Sequence, residues 1–422
     1  MVLTNSKTKR RNLSEGMAFL VDRISNLPDS VLSYILSFLP IKQVAATSFL
    51  SKRWRCVWTS VDKIYFDDYV RELSLPCFNH LCNKSDITNW INIAIARGVE
   101  KLVVRTSVFT FPLTIFTCRT LVDLQIYKLV DIRNMYISSA PFFPCLRKLH
   151  IQHLRYDTKS LQHFISRCPV LEHFSSNLYD GMNNEVILVD IVSSTLKQIE
   201  LLSGFEQKIH LDVPAIEFLR FRSIILPEIA IQEPLSFLVE ADITFLQIDS
   251  YNININQLRE SFVRFIQNFA NVKVLRLHFH LPKFFASVGH AQFHNLTKLE
   301  IHSAYFEWRL LARLMDSSIH LEDITLRKKH KLAWKEPKNV PICLSTSLRK
   351  ISLVGYSEDE LLMVKYVLRT AEILERLDIQ CSTCYGDENE RKSVMLQKIQ
   401  KLHRASERCE VSLVQVCHVD TI

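Results

Sequence analysis

The sequence predicts an α/β protein in which a few N-terminal helices precede a long array of parallel strands. Three observations support this prediction: an apolar helical stripe near the N-terminus, an apolar template that recurs along the chain, and a charged segment near the C-terminal end. The 422 residues also exceed the size at which one hydrophobic core usually stops growing. We therefore expect either several domains or a repeat array.

The first helix is predicted from residues 26–29, whose sequence is Asn-Leu-Pro-Asp. Proline is tolerated in the first turn of a helix, and an acidic residue there interacts favourably with the positive helix end. Pro40 should end the helix, because proline has no amide hydrogen and restricts the residue before it. Between these points, apolar residues at spacings of three and four form one helical stripe, made of Leu32, Ile35, Leu36 and Leu39.

Two shorter helices are predicted after Pro40. One spans residues 42–48 and the other spans residues 52–58. The second of them places Trp54 and Trp58 one turn apart on the same face. The segment from residue 22 to residue 62 is therefore expected to be a tightly packed group of three short helices.

An internal repeat begins near residue 98. Its template has an apolar residue, two variable residues, an apolar residue, one variable residue and a final apolar residue. From Leu121 to Leu196 it recurs at intervals of 25 residues three times running, and elsewhere the interval lies between 20 and 29. The twelve sets are Val99/Leu102/Val104, Leu121/Leu124/Ile126, Leu146/Leu149/Ile151, Leu171/Phe174/Ser176, Leu196/Ile199/Leu201, Ile216/Leu219/Phe221, Ile243/Leu246/Ile248, Val272/Leu275/Leu277, Leu296/Leu299/Ile301, Leu321/Ile324/Leu326, Leu348/Ile351/Leu353 and Leu374/Leu377/Ile379.

A period in the twenties with this template is typical of a leucine-rich-repeat solenoid. The last two apolar positions alternate as in a strand and point into the stack, so each unit buries its apolar side against the next. Parallel strands then form the concave face, and helix-like pieces such as residues 158–165 cover the outside. A doubly wound α/β domain is the alternative, but near-equal intervals and only 7 glycines argue against it. Because Ser176 stands at an apolar position, an irregular strand is expected there.

The C-terminal region keeps the repeat but changes in composition. Residues 358–371 are predicted to form an amphipathic helix, and the charged residues 389–408 are predicted to form another. A solenoid needs an atypical terminal unit with a polar outer face. We therefore expect this region to cap the stack.

Two parts of the chain resemble a known family. Residues 27–40 and 48–58 resemble an F-box, through a leading Leu-Pro, an internal Ile-Leu, a closing Leu-Pro and the sequence Ser-Lys-Arg-Trp-Arg-Cys-Val-Trp. The C-terminal region resembles the FBD domain of plant F-box proteins, through residues 340–344, Tyr356 and the helix predicted at residues 358–371. Together with the repeats, these segments resemble the plant F-box/FBD/LRR-repeat family over nearly the entire chain.

The resemblance implies a three-helix F-box that binds the Skp-type adaptor of a cullin-based (SCF) ubiquitin ligase. The repeats would hold a target protein for ubiquitination, and an FBD-type cap would continue the solenoid. The corresponding bounds are a disordered basic tail at 1–21, an F-box at 22–66, leucine-rich repeats at 98–333 and an FBD domain at 334–413. The alternative for the apolar stripe is the core of a small domain. As a docking surface for the adaptor it would comprise Leu27, Pro28, Leu32, Ile35, Leu36, Leu39, Pro40, Trp54 and Trp58.

The sequence contains no pattern that predicts catalysis, a metal site or a cofactor. There is no Gly-x-Ser-x-Gly, phosphate-binding loop or His-Glu-x-x-His. The Cys-x-x-Cys at residues 381–384 and the group Cys77, His80 and Cys82 lack a second ligand pair at a fixed distance, so free thiols are the expected interpretation. His278 and His280 should face the same side of a strand, and they are expected to be surface or partner-contacting residues rather than catalysts. The chain is predicted to be a non-catalytic adaptor.

Charge and hydropathy predict an intracellular protein of the nucleus, the cytoplasm or both. The net charge of +8 is distributed among 44 acidic residues, which indicates a solvated surface rather than a nucleic-acid groove. The basic run at residues 7–11 is either part of a disordered tail or a nuclear-import signal. No apolar stretch is long enough to span a membrane, and the 11 cysteines are expected to be reduced. A nuclear scaffold that binds nucleic acid or protein, and a receptor for a small hormone-like ligand, remain alternatives.

Overall fold

A computed structural model gives the three-dimensional structure of the chain. It describes residues 24–67, except 25, 40–42, 45–46, 48–49, 52 and 58–62, together with residues 88–413. In the second range, the exceptions are 89–90, 93, 97, 106–111, 134–142, 180–186, 204–206, 224–227, 233–234, 246–263, 280–291, 304–307, 329–333, 357–360 and 382–396. The predicted basic tail and import signal, Pro40, Trp58, His280, and the group Cys77, His80 and Cys82 lie outside the described residues.

The first helix begins where the sequence predicts. Helix α1 spans Asp29–Leu36 and follows Pro28, whose ψ of 149° is extended. Two further bonds, from the Phe38 amide to the Ile35 carbonyl (3.2 Å) and from the Leu39 amide to the Leu36 carbonyl (3.0 Å), continue the turn beyond the helix. Helix α2 spans Trp54–Val57, and described positions between the two helices, 43, 44 and 47, are also helical.

The solenoid is built on one parallel sheet of 14 strands, in which neighbours follow chain order. Each pairing is parallel, as the repeat predicts, so every strand starts at the same end of the sheet. The strands are β1 (Lys63–Asp67), β2 (Lys101–Arg105), β3 (Asp123–Asp131), β4 (Lys148–Arg155), β5 (His173–Tyr179), β7 (Gln198–Ser203), β9 (Phe218–Ser223), β11 (Glu240–Phe245), β12 (Val274–Phe279), β13 (Lys298–Ser303), β14 (Asp323–Lys328), β15 (Lys350–Tyr356), β16 (Arg376–Cys381) and β17 (Glu410–Leu413).

Helices cover part of the outer side, as predicted for residues 158–165. Helix α3 (Thr158–Ser166) starts with a capping box, in which the Ser160 amide donates to the Asp157 carboxylate at 2.9 Å. A 3₁₀ turn lies at Leu113–Thr117. Three more helices follow: α4 (Trp308–Asp316), α5 (Ile342–Thr346) and α6 (Leu361–Thr370).

A second sheet replaces helices on the outer side of the central repeats. It contains three parallel strands, β6 (Ile187–Val192), β8 (Gln207–Asp212) and β10 (Glu228–Ile231). Val189 and Ile191 point into the core, whereas Leu188 and Val192 are exposed. This alternation of β-branched residues favours strands, and these short repeats leave little chain for a helix. In these repeats, strands therefore take the place of the helices predicted for the outer side.

The apolar positions of the template form the core in continuous rows. Leu102 pairs with Leu124, Leu124 with Leu149, and Leu149 with Phe174, and each of these side chains is buried. Buried apolar residues from Leu32 to Cys409 belong to one cluster. Each such side chain contributes about 1.5–3 kcal/mol by leaving water. Stability therefore depends on contacts between neighbouring repeats.

The seventh repeat was assigned the wrong phase. The sequence predicts Ile243, Leu246 and Ile248 as its apolar positions. In the structure, β11 places Ala241 between Leu219 and Leu275, and it places Ile243 between Phe221 and Leu277. The template there is Leu238, Ala241 and Ile243, all buried. Because alanine is less hydrophobic than leucine, the observed set is less apolar than the predicted set that begins at Ile243. Leu246 and Ile248 lie outside the described residues.

The irregular strand expected at Ser176 is not β5 itself; the irregularity is a register shift in its neighbour β4. Strand β5 pairs with β7 without a shift, and Ser176 is buried beside Leu201 in the register. The register shifts between Ile151 and His153, where β4 has one residue more than β5. The extra residue is a bulge in β4, so a small polar residue in β5 does not disturb its own strand.

The C-terminal cap is only partly helical. Helix α6 agrees with the helix predicted at residues 358–371. Of the second predicted helix, residues 389–396 lie outside the described residues, residues 397–400 are helical, and residues 401–408 form turns, bends and irregular chain. The Ala405 amide donates to the Leu368 carbonyl at 2.8 Å, and Ser406 Oγ donates to the Leu374 carbonyl at 2.7 Å. These bonds hold the chain against α6 and β16 before it enters β17. The prediction of a helix up to residue 408 is therefore wrong.

Candidate functional site

The outer face of α1 carries apolar side chains that the rest of the chain does not cover. Tyr34 is 67% exposed and Phe38 is 69% exposed, while Val31 and Ile35 are each 40% exposed. The rings of Tyr34 and Phe38 meet edge to face, with centroids 5.0 Å apart. Contiguous exposed apolar residues of this kind mark sites of interaction with another protein. We call Val31, Tyr34, Ile35 and Phe38 the α1 patch.

The inner face of α1 holds the helix in place. Leu32, Leu36 and Trp54 are buried, at 0%, 1% and 5% exposure, and belong to the core cluster. Leu32 and Leu36 lie on the same face of α1 because the helical period brings residues four apart to one side. These three side chains, which the sequence placed in the docking surface, present no area to a partner.

The other predicted docking residues divide between exposed and half-buried positions. Pro28 and Ile35 are exposed, and Leu27 and Leu39 are half-buried against the core. Val31, Tyr34 and Phe38 are not among the docking residues predicted from the sequence. The spacing of four between Tyr34 and Phe38 is a signal that could have found the pair.

Arg53 ties the start of α1 to α2. Its Nε donates to Asp29 Oδ1 at 2.8 Å, and its guanidinium also donates to the Leu27 carbonyl. Ser33 Oγ donates to the Val57 carbonyl at 3.4 Å. These bonds fix the orientation of α1, so the α1 patch is held facing outwards.

The concave face of the sheet carries a row of alternating charges. On β7, β9, β11, β12 and β13, the residue between the two buried template positions is in turn acidic, basic, acidic, basic and acidic. Arg220 lies 2.9 Å from Glu200 and 2.8 Å from Asp242, and Arg276 binds Glu240 and, at 3.2 Å, Glu300. We call this row the charge ladder: Glu200, Arg220, Asp242, Arg276 and Glu300.

The arginines of the ladder are each paired with carboxylates. Partial burial alone would lower the pKa of Arg220, but the Asp242 and Glu200 carboxylates raise it overall. Burial alone would raise the pKa of Glu300, but a bond from Lys298 and the charge of Arg276 lower it. Arg220, Arg276 and Glu300 are therefore charged at neutral pH, and each arginine already binds two carboxylates, which makes the ladder a weak site for an outside anion.

A shallow depression lies further along the concave face, over β3, β4, β5 and β7. Its volume is about 110 Å³, and it contains a contact of 3.1 Å between His150 Nδ1 and Ser175 Oγ. Burial lowers the pKa of His150, so the ring is neutral. Small-molecule sites usually enclose roughly 300–1,000 Å³. The depression is too small for the hormone-like ligand considered from the sequence.

Within the described part of the chain, no cluster of three or more His, Cys, Asp or Glu side chains is arranged to hold a metal. Burial raises the pKa of Cys168 and of Cys343 to about 12, so neither thiol is an activated nucleophile. His278 lies half-buried on the concave face, its ring centroid 4.0 Å from that of His302. No helix among the described residues is long and apolar enough to cross a membrane.

Comparison with known families gives three matches along the chain. The F-box domain model matches residues 24–65. A model described as FBD-associated F-box protein At5g56370, LRR repeats, matches residues 87–238, and the FBD model matches residues 336–379. None of these is the model of an enzyme domain.

The chain is similar along most of its length to plant proteins from Arabidopsis thaliana. It is 29% identical to F-box/FBD/LRR-repeat protein At3g52680, over 92% of each chain. It is 28% identical to FBD-associated F-box protein At3g52670, over 92% of this chain and 97% of the relative. It is 26% identical to F-box/FBD/LRR-repeat protein At5g22660, over 93% and 97% respectively.

Proposed function

Because the chain belongs to the F-box/FBD/LRR-repeat family, we propose that it is a non-catalytic substrate receptor of an SCF-type ubiquitin ligase. In this role the F-box binds a Skp-type adaptor, and through it a cullin, while the solenoid holds a target protein. Holding two partners together raises their effective concentration, so ubiquitin transfer is accelerated without catalytic groups on this chain.

The observation that carries the proposal is the α1 patch on the segment that matches an F-box. An F-box must offer apolar area to its adaptor, and Tyr34 and Phe38 offer it from a helix whose opposite face is buried. Leu32, Leu36 and Trp54 support the helix from inside. Among the residues predicted from the sequence, we propose that Pro28 and Ile35 contact the adaptor directly and that Leu27 and Leu39 line the edge.

The domain bounds predicted from the sequence assign these two roles to different parts of the chain. We propose that residues 22–66 dock on the ligase and that residues 98–333 and 334–413 present the target. The continuous sheet from β2 to β17 supports a single binding body rather than two. We also propose that the protein is located in the nucleus, the cytoplasm or both, and that residues 1–21 form a disordered basic tail.

Co-precipitation with a purified Skp-type adaptor tests the docking surface. Phe38→Ser should abolish capture, because a central aromatic anchor in an interface is worth about 2 kcal/mol or more. Phe237→Ser is the matched control, since Phe237 is 67% exposed and lies on the solenoid. Failure of the wild-type chain to bind, or equal capture of both variants, would contradict the proposal.

The alternative of a nucleic-acid scaffold has less support. Arg220 and Arg276, the two arginines of the charge ladder, are already bound to carboxylates. A nucleic-acid groove needs cations that are free to replace the counterions of phosphates. The two arginines of the charge ladder are therefore not free to bind phosphates.

A further inference from the structure

A second row of side chains runs beside the charge ladder and differs from it in charge. The register places Arg222 of β9, Thr244 of β11, His278 of β12, His302 of β13 and Arg327 of β14 side by side. The row contains no acidic residue across five strands. We call Arg222, His278, His302 and Arg327 the basic row.

The two arginines of the basic row are not neutralised by the described part of the protein. Arg222 Nε is buried and has no hydrogen-bond partner among the described residues. No carboxylate in that part of the chain lies within 4.0 Å of Arg327, which is exposed. In contrast, Arg220 and Arg276 in the adjacent row each bind two carboxylates. Of these two rows, the basic row is therefore the one whose arginines the described residues leave without a carboxylate partner.

The two histidines lie between these cations and are in contact with each other. Their ring centroids are 4.0 Å apart, and His278 Nε2 lies 3.9 Å from Asp242 Oδ1, beyond hydrogen-bond distance. Burial, together with the charges of His278 and Arg327, lowers the pKa of His302 to about 4. Burial and the charge of Arg222 also lower the pKa of His278, although Asp242 and Glu300 act in the opposite direction. Both rings are therefore neutral until a new anion approaches.

We propose that the basic row binds the carboxylate side chains of an acidic, extended segment of the target protein. This rests on the proposed function in one respect, that the solenoid holds a protein target. Neighbouring strands are about 4.8 Å apart, so Arg222 and Arg327 lie roughly 19 Å apart across four spacings. About six residues of extended chain cover that distance.

An acidic segment would supply the negative charge that the basic row lacks. Carboxylates form strong charge-assisted bonds with guanidinium groups, and the exposed Arg327 offers one that no carboxylate of the described residues occupies. A carboxylate near His278 and His302 would favour their charged forms and raise both pKa values. Asp242 and Glu300 do not repel the segment strongly, because Arg220, Arg276 and Lys298 already bind them.

The test is binding of a fluorescein-labelled peptide of eight glutamates to the full chain, measured by anisotropy at low salt. The double variant Arg222→Gln/Arg327→Gln should bind at least about tenfold more weakly, because two charge-assisted contacts are lost. Arg147→Gln is the control for net charge, since Arg147 pairs with Glu172 outside the row. It should change the affinity by less than about twofold.

Histidine NMR gives an independent measurement. Addition of the glutamate peptide should raise the pKa of His278 and His302, while a peptide of eight glutamines should leave both unchanged. Unchanged affinity in the double variant, an equal loss in Arg147→Gln, or histidines that do not respond would each overturn the proposal. If an eight-nucleotide oligothymidylate bound through the same arginines more tightly than the glutamate peptide, the proposal would be overturned in favour of nucleic acid.

These measurements contain no ligase component, so they are separate from the docking test. Phe38→Ser should keep full affinity for the glutamate peptide, because Phe38 lies in the turn that follows α1 and not on the concave sheet. If the peptide binds but the adaptor does not, the proposed function fails while the basic row stands. If the adaptor binds and the peptide does not, only the basic row fails.

Discussion

The ring of Phe38 meets the edge of Tyr34 on the outer face of α1, with centroids 5.0 Å apart and planes at 89°. An exposed aromatic pair adds little to the stability of the free chain, because its area remains in water. Tyr34→Ser should therefore change the free energy of unfolding by about 0.5 kcal/mol or less. Leu36→Ala, on the buried face of the same helix, should cost about 2–5 kcal/mol. Urea denaturation of the two variants measures the difference; an equal loss would show that the outer face is also part of the core.

Gly355 lies at the bulge in β15, with a φ of 83°. A Cβ at this position would lie 2.2 Å from the Lys328 carbonyl oxygen of the neighbouring strand. Gly355→Ala should destabilise the fold by about 2–3 kcal/mol, because it adds a clash to the conformational strain. Gly98→Ala is the control: its φ is 76°, but its nearest neighbour, Thr120 Cγ2, is 3.6 Å away. Its cost should be about 1 kcal/mol. Equal thermal midpoints for the two variants would contradict the close approach of β14 and β15.

His302 should make the chain less stable in mild acid. Its pKa falls to about 4 in the folded state because of burial and the nearby His278 and Arg327 charges, whereas its ordinary value is 6.5. As the pH falls from 6.5 towards 4, the unfolded chain takes up a proton that the folded chain does not. His302→Asn should therefore reduce the loss of unfolding free energy between pH 7.5 and pH 5. A slope identical to that of the wild type would indicate that His302 is charged in the folded state.

His210 should act in the opposite direction. On the outer sheet, its Nδ1 lies 2.7 Å from Asp190 Oδ1 and its Nε2 lies 3.0 Å from Gln232 Oε1. The bond to Asp190 raises the pKa of His210 above 6.5. Its contribution to stability is therefore complete below pH 6.5 and is lost as the pH rises through the raised pKa. His210→Gln should be destabilised more at pH 5.5 than at pH 8.5, as measured by urea denaturation. A constant difference would exclude the charged pair.

Local patterns in the sequence were sufficient to predict the repeat and the N-terminal helices. Leucine positions such as Leu124 and Leu149 are buried because each strand must bury its apolar side against the next, a rule that spacing alone expresses. The phase of β11 was missed because Ala241 fills a central core position with little hydrophobicity. The second sheet was missed although Val189 and Ile191 alternate in its first strand, because the outer side was expected to be helical.

The candidate site depended on information that spacing does not contain. The stripe of α1 predicts which residues are apolar, but not which of them the remaining helices cover. Ile35 and Leu36 are neighbours in sequence, yet one is exposed and the other buried. Likewise, the pairing of Arg220 with Asp242 and the isolation of Arg222 follow from the cross-strand register, which a single sequence leaves undetermined.

Titration calorimetry with a purified Skp-type adaptor tests the adaptor role most directly. The wild-type chain should bind with a negative heat-capacity change, because the α1 patch leaves water on docking. Phe38→Ser should give no measurable heat of binding, and Phe237→Ser should bind as the wild type does. Absence of binding by the wild-type chain, or unchanged affinity in Phe38→Ser, would contradict the account.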